Sequence, residues 1–161
     1  MEEDRTVLRP PRPGELSWLL WRHMQVMAPA YGWDQTYEGH LAQIVGGFLL
    51  GHDPARERFW VADHDGDLLG CIGLTRETDQ LARLRLLYVE PAARGMGLGR
   101  RLVDACLGFA RDAGYAEVML WTVDVLDAAR RIYAAAGFEK VGEAVSELSP
   151  AMKDETWRLR L

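Results

Sequence analysis

The chain has 161 residues, 48% hydrophobic and 27% charged, with a net charge of −5. This suits one folded domain with a full core and excludes extended disorder. An acidic chain also argues against a broad nucleic-acid-binding face, which needs many phosphate contacts, and no run approaches the ~20 apolar residues that span a bilayer.

In chain order, "TVLRPPRPGE" reads as a short strand ending in prolines, with Pro13 placed to open a helix. From Leu16, the positions Leu16, Leu19, Leu20, His23, Met24 and Met27 follow one helical face. "APAYGWD" is expected to break that helix, and a second runs from about Thr36 to Leu50. "RFWVAD" and "DLLGCIGLTRE" are strand-like, joined by "HDGD", whose Asp65-Gly66 signals a hairpin.

In "LARLRLLYVEP", Leu84, Leu86 and Tyr88 alternate with Arg85, Leu87 and Val89, and Pro91 ends the strand. A helix over Leu98–Ala113 carries Leu102, Val103, Cys106, Phe109 and Ala110 on one stripe, and Gly114 stops it. "EVMLWTV" is a buried strand, Val125 to Ala136 a helix closed by Gly137, and "FEKVGEAV" and "ETWRLRL" the last strands. Most of the six tryptophans fall at periodic, core-like positions, and the last strand offers an apolar face for a dimer contact. The whole is an α/β domain with a mixed, mostly antiparallel sheet and about four helices.

Cys71 and Cys106 are far apart, each in an apolar segment, so neither a disulfide nor a metal site is expected. The acidic start "MEEDRTVLRP" does not read as a secretory leader, which leaves a cytoplasmic protein as the expectation.

The chemistry concentrates in "VEPAARGMGLGRRLVDA". Gly95, Gly97 and Gly99 lie between a strand and a helix start, with Arg94, Arg100 and Arg101 beside them. A helix start leaves N–H groups without intrahelical partners, and the helix dipole adds positive potential there. Bare backbone lets a ligand come close, so the turn suits a phosphate or pyrophosphate. The dinucleotide fingerprint fails because Arg100 stands where its third glycine would fall, and no Gly-Lys-Ser/Thr is present for a P-loop.

The spacing Arg94-x-x-Gly97-x-Gly99 resembles the acyl-coenzyme A signature of the GCN5-related N-acetyltransferase (GNAT) family. Ala129, Tyr133, Gly137 and Phe138 in "DAARRIYAAAGF" match that family's second block, Ala-x-x-x-Tyr-x-x-x-Gly-Phe. The likeness spans Thr6 to Leu161 and looks especially like the acetyltransferase half of proteins that join it to a MarR-type DNA-binding domain. It implies a single N-acetyltransferase domain over residues 1–161, with a splayed parallel strand pair.

The resemblance also implies a site. The strand before the turn would bulge and part from "EVMLWTV", and the pantetheine arm of acetyl-coenzyme A would lie in the gap against the backbone of Leu87, Tyr88 and Val89. The Leu87 N–H would polarise the thioester carbonyl. Arg94, Gly95, Met96, Gly97, Leu98, Gly99 and Arg100 would hold the pyrophosphate, without a metal. Tyr133 would protonate the departing thiolate, although its helical face also fits a core residue. The family asparagine three residues before Ala129 is replaced by Leu126.

Glu77, Asp79 and Asp124 are candidate general bases, and His40 a weaker one. Tyr31 and Trp33, with Asp34 and Tyr37, lie where the family walls the acceptor, and aromatics with a carboxylate suit a small cationic amine. The expected function is transfer of an acetyl group directly to a small-molecule amine, not through Cys71 or Cys106. The alternatives are an acyl-coenzyme A sensor of the same fold, an enzyme for longer acyl chains, and a plain nucleotide-binding protein.

Overall fold

Asp65 and Gly66 both adopt positive φ, 51° and 94°, and the Gly66 N–H donates to Asp63 Oδ1 at 2.7 Å. This tight turn joins β2 (Arg58–His64) to β3 (Asp67–Arg76), the centre of the first half of the sheet. The computed structural model describes residues 4–161, so the first three residues of the domain expected over 1–161 lie outside the described part. The other elements are β1 (Thr6–Arg9), α1 (Glu15–Tyr31), α2 (Gln35–Gly51), β4 (Leu81–Val89), a 3-10 turn (Pro91–Ala93), α3 (Leu98–Asp112), β5 (Glu117–Val123), α4 (Asp127–Ala135), β6 (Glu139–Val145) and β7 (Lys153–Arg160).

The seven strands pair in the order β1-β2-β3-β4-β5-β7-β6, antiparallel except for the parallel pair β4–β5. Leu102, Val103 and Cys106 of α3 and Tyr133 of α4 pack on one face with Leu74, Leu84 and Leu120 of the sheet. On the other face, Leu16 and Leu19 of α1 and Val45 and Phe48 of α2 meet Phe59, Val61 and Tyr88. The result is three layers, helix–sheet–helix, with cores on both sides.

Three expectations are corrected. Helix α1 continues through Ala28–Tyr31, because Pro29 and Gln25 are both on the exposed side and the carbonyl that Pro29 leaves unbonded faces water. Gly32, at φ 70°, ends it instead, its N–H bonding Ala28 O at 2.7 Å. Trp18, Trp21 and Trp121 are exposed, so only half of the tryptophans are core. The apolar face of the last strand, β7, is turned into the core, where Trp157 is buried and Leu159 packs; the exposed apolar side chains are Val141 and Val145 of the edge strand β6.

A bulge decides where the site forms. Cys71 pairs with Tyr88 and Gly73 with Arg85, so Leu86 and Leu87 stand opposite the single residue Ile72. Leu86 takes φ 52°, rare for a non-glycine residue. The extra residue reverses the strand's phase: Ala82 and Leu84 face α3, whereas Leu86 and Tyr88 face α1. Gly70 lies against this segment, and a Cβ there would run into the Tyr88 carbonyl oxygen. Because that neighbour is backbone, Gly70→Ala is expected to cost about 1–3 kcal/mol, read by urea denaturation.

Candidate active site

Strands β4 and β5 pair only at Leu81–Arg83 with Glu117–Met119. Beyond that point they part, and a cleft of about 550 Å³ opens between them, within the range of small-molecule sites. Its inner edge is the bulged strand, including Leu87, Tyr88 and Val89. One end is the glycine turn, with Arg94, Gly95, Gly97, Leu98, Gly99 and Arg100. The opposite walls come from β5 and α4 through Thr122, Leu126 and Tyr133, and from α1–α2 through Met27, Tyr31 and Trp33.

The turn is a built anion cradle. Gly95 and Gly97 take φ 80° and 78°, and no heavy atom lies within 4 Å of where a Cβ would sit on either. Among the described residues, the N–H groups of Gly95 to Arg100 have no backbone acceptor; the first helical bond of α3 is Arg101 N to Gly97 O at 3.1 Å. These donors stand at the positive end of a 15-residue helix. Gly99 serves packing instead: a Cβ there would lie 2.7 Å from Ile132 Cδ1, so its absence lets α3 and α4 approach.

The arginines divide by role. Arg94 Nε bonds Val89 O at 3.2 Å and Arg100 Nε bonds Asp104 at 3.0 Å, both side chains remaining at the cleft. Arg101 turns away to Asp4 and Thr6 O, each at 2.9 Å. Met96 is exposed and lies outside the cleft lining.

Tyr133 is buried, its ring edge-on to Phe138, yet it lines the cleft. Burial, with Cys106 nearby, pushes its pKa above the ordinary tyrosine value, so it is a neutral phenol at physiological pH. Leu126 also lines the cleft, at the N-cap of α4, where it supplies no side-chain cap.

The three carboxylates put forward as bases lie elsewhere. Glu77 and Asp79 sit on the β3–β4 turn, at the closed end of the splay, paired with Arg83 (3.1 Å) and Arg76. Asp124 accepts the Lys153 N–H at 3.0 Å and extends the β5–β7 ladder. None of the three lines the cleft, and neither does His40, which is exposed on α2. Asp34 is the N-cap of α2, accepting the Thr36 N–H at 2.9 Å, and it lies outside the cleft lining. Tyr31 and Trp33 are brought together there, ring centroids 5.0 Å apart, and Trp33 also meets Tyr37 at 4.4 Å. Cys71 and Cys106 are buried outside the cleft lining, and burial pushes the Cys71 thiol up to about 12.

Sequence reasoning placed His23 on the apolar face of α1 and gave it no role. It is buried at the cleft wall, its Nε2 2.8 Å from the Tyr37 hydroxyl and its ring 5.2 Å from that of Tyr88. The available signal was a lone histidine in an apolar stripe, which periodicity alone assigns to packing.

Among the described residues, no group of three His, Cys, Asp or Glu is placed to hold a metal, and no helix is long and apolar enough to cross a membrane. Residues 15–138 match the model of the acetyltransferase (GNAT) family. The chain belongs to that family. It is 33% identical over 120 residues to mouse probable N-acetyltransferase family 8 member 5, covering 71% of this chain and 51% of that protein. It is 34% identical over 100 residues to zebrafish N-acetylaspartate synthetase, covering 62% of this chain and 36% of that one. The chain thus spans about half or less of these relatives. In fold it is similar to Ard1 from Thermoplasma volcanium (TM-score 0.79, 22% identity, 98% of each chain). It is also similar to yncA from Salmonella typhimurium, solved with its cofactor acetyl-CoA (TM-score 0.72, 19% identity, 96% of this chain and 93% of that one).

Burial first, and then the Arg94 charge, lower the His23 pKa from 6.5 to about 4. Between those values the unfolded chain binds the extra proton, so the stability tied to neutral His23 is full above about pH 6.5 and is lost as pH falls toward 4. Urea titrations across that window should show a pH slope smaller by about one proton in His23→Gln.

Proposed function

We propose that this GNAT-family chain is an acetyl-CoA-dependent N-acetyltransferase that moves the acetyl group directly to a small-molecule amine. The observation that carries the reading is one cleft holding both an unpaired strand edge and a cradle of free N–H groups. A long donor with a peptide-like arm and a pyrophosphate needs both at once. We assign the arm to the backbone of Leu87, Tyr88 and Val89, added as a strand in the splay. The pyrophosphate goes to the turn from Arg94 to Arg100, with Met96 contributing only its amide.

In the reaction, the Leu87 N–H donates to the thioester oxygen as negative charge builds on it during attack by the amine. The Tyr133 hydroxyl donates to the departing sulfur. A phenol with a raised pKa is a weak acid toward a thiol of pKa about 8.5, so its part is a hydrogen bond that strengthens as charge develops. With Glu77, Asp79 and Asp124 away from the cleft, we assign the amine's first proton loss to solvent; the second, lost by the nitrogen as the C–S bond breaks, ends on the sulfur, and coenzyme A leaves as the thiol.

We read residues 1–161 as one N-acetyltransferase domain and place it beside the acetyltransferase half of MarR-fusion proteins, on the run "LRLLYVEPAARGMGLGRRL". Two free, buried thiols fit a reducing, cytoplasmic setting. The second reading, an acyl-CoA sensor, is favoured by Leu126 in place of asparagine and by the lack of a cleft carboxylate near the bulge.

Calorimetric titration with acetyl-CoA should show binding by the native chain. In Gly97→Trp, where a side chain strains the positive-φ loop and fills the cradle, affinity should fall at least ~100-fold. No binding by the folded native chain would overturn both readings. A thiol-release assay over a panel of amines separates enzyme from sensor, and Tyr133→Phe should lower kcat by about 10²-fold.

A further inference from the structure

The closed end of the cleft is lined by two arginines, and the one carboxylate near them, Glu77, is paired with Arg83 outside the lining. Arg83 and Arg85 are two residues apart on β4, ahead of the bulge, and both line the cleft on the face of α1 and α2. Arg83 is partly balanced: one terminal nitrogen donates to Glu77 at 3.1 Å, but its Nε is buried with no acceptor among the described residues. Arg85 donates its Nε to the neutral Thr75 hydroxyl at 3.2 Å and forms no ion pair among the described residues. It is half-buried, and desolvation, then the Arg83 charge, pull it down to about 10 against the weaker opposing pull of the Glu77 carboxylate, which is paired with Arg83, so it stays charged at neutral pH but poorly solvated.

A guanidinium removed from water and given no anion is costly unless a ligand supplies one. The acid that lines the cleft, Asp127, begins α4 beyond the far end of β5 and pairs with Arg130. The aromatic wall brings no lining carboxylate either, since Asp34 lies outside the cleft. An acceptor that is only a cation would therefore meet like charge beside the bulge. Arg85 also lies two residues before Leu87, about 7 Å along the strand, so a guanidinium there can reach a group attached close to the reacting nitrogen.

We infer that the acceptor is an amine bearing a carboxylate, an amino acid in kind. Arg85 with Arg83 holds its carboxylate, and the wall of Met27, Tyr31 and Trp33 takes its side chain. This rests on the transferase reading and narrows it. Arginine suits the task because its planar fork matches a carboxylate with two parallel hydrogen bonds.

The test uses the full chain, free coenzyme A for the binding arm, acetyl-CoA for the transfer arm, and three matched sets of ligands: the common amino acids, their amides, and the corresponding decarboxylated amines. Binding to the protein–coenzyme A complex is read by calorimetry and transfer by thiol release. At least one amino acid should bind and react, with kcat/KM ~100-fold above its amide and amine. In Arg85→Gln that preference should collapse about 100-fold, mainly through KM, while coenzyme A affinity holds.

Equal use of acids, amides and amines, or a preference that survives Arg85→Gln, overturns the carboxylate site and leaves the transferase reading standing. Arg85-dependent binding of an acid without transfer supports the site and removes the transferase. Absence of any acid binding overturns the proposal.

Discussion

The site depends on one extra residue in β4. With Leu86 and Leu87 opposite Ile72, the strand cannot stay in phase with β3 and parallel to β5 together. It keeps β3 and leaves β5 after Arg83. Everything chemical in the cleft follows from that departure. It frees a strand edge, it turns Leu87 and Val89 toward the α3–α4 layer, and it leaves Arg83 and Arg85 facing the α1–α2 layer. The opposed positions of donor and acceptor are thus a consequence of strand phase. The cost is a leucine in left-handed geometry, borne where Gly70 lets the partner strand approach the Tyr88 carbonyl.

Much of this was legible in the chain itself. Apolar periodicity and turn residues together placed the strands and helices, since burial on one face leaves its period in the sequence and Asp65-Gly66, Gly114 and Gly137 mark the ends; β6, exposed throughout, has no such period. The turn Arg94 to Arg100 was legible because a helix start with bare backbone has few other uses. The position of the bulge was not. "RLRLLYV" alternates only as far as Leu86 and then runs apolar, and a single inserted residue in an apolar run shows only when the register with β3 is known. Helix α1 outran its expected end for a similar reason, because Pro29 is harmful only where its missing bond would be buried.

The candidate bases show where spacing stops being informative. Glu77, Asp79 and Asp124 are near β4 and β5 in sequence, yet each already has a partner: Arg83, Arg76 and the Lys153 amide. Sequence distance reports neither which end of a splay a carboxylate occupies nor whether its charge is already balanced. Conversely, His23 and Arg85 gave no motif. Their significance is environmental: a histidine kept neutral by burial against Tyr37, and a half-buried arginine with no ion pair among the described residues.

One further contact makes the two ends of the cleft a unit. Glu90, the first residue after β4, is buried, and both its oxygens accept from Arg22 of α1, at 2.6 and 2.7 Å. Its N–H bonds Leu69 O at 2.7 Å, so the residue is held from both backbone and side chain. Arg22 therefore fixes the point where the strand ends and the 3-10 turn leads into the phosphate cradle. The next residue of α1, His23, faces the cleft against Tyr37 and Tyr88. A buried, two-point ion pair adds little net stability over an apolar replacement, but breaking it leaves a stranded charge. Its value here is orientational: it ties α1, which would wall the proposed acceptor, to the loop that would carry the donor's phosphates. In the proposed reaction, donor and acceptor would be positioned by elements that are joined to each other, which is what direct transfer between two bound molecules requires.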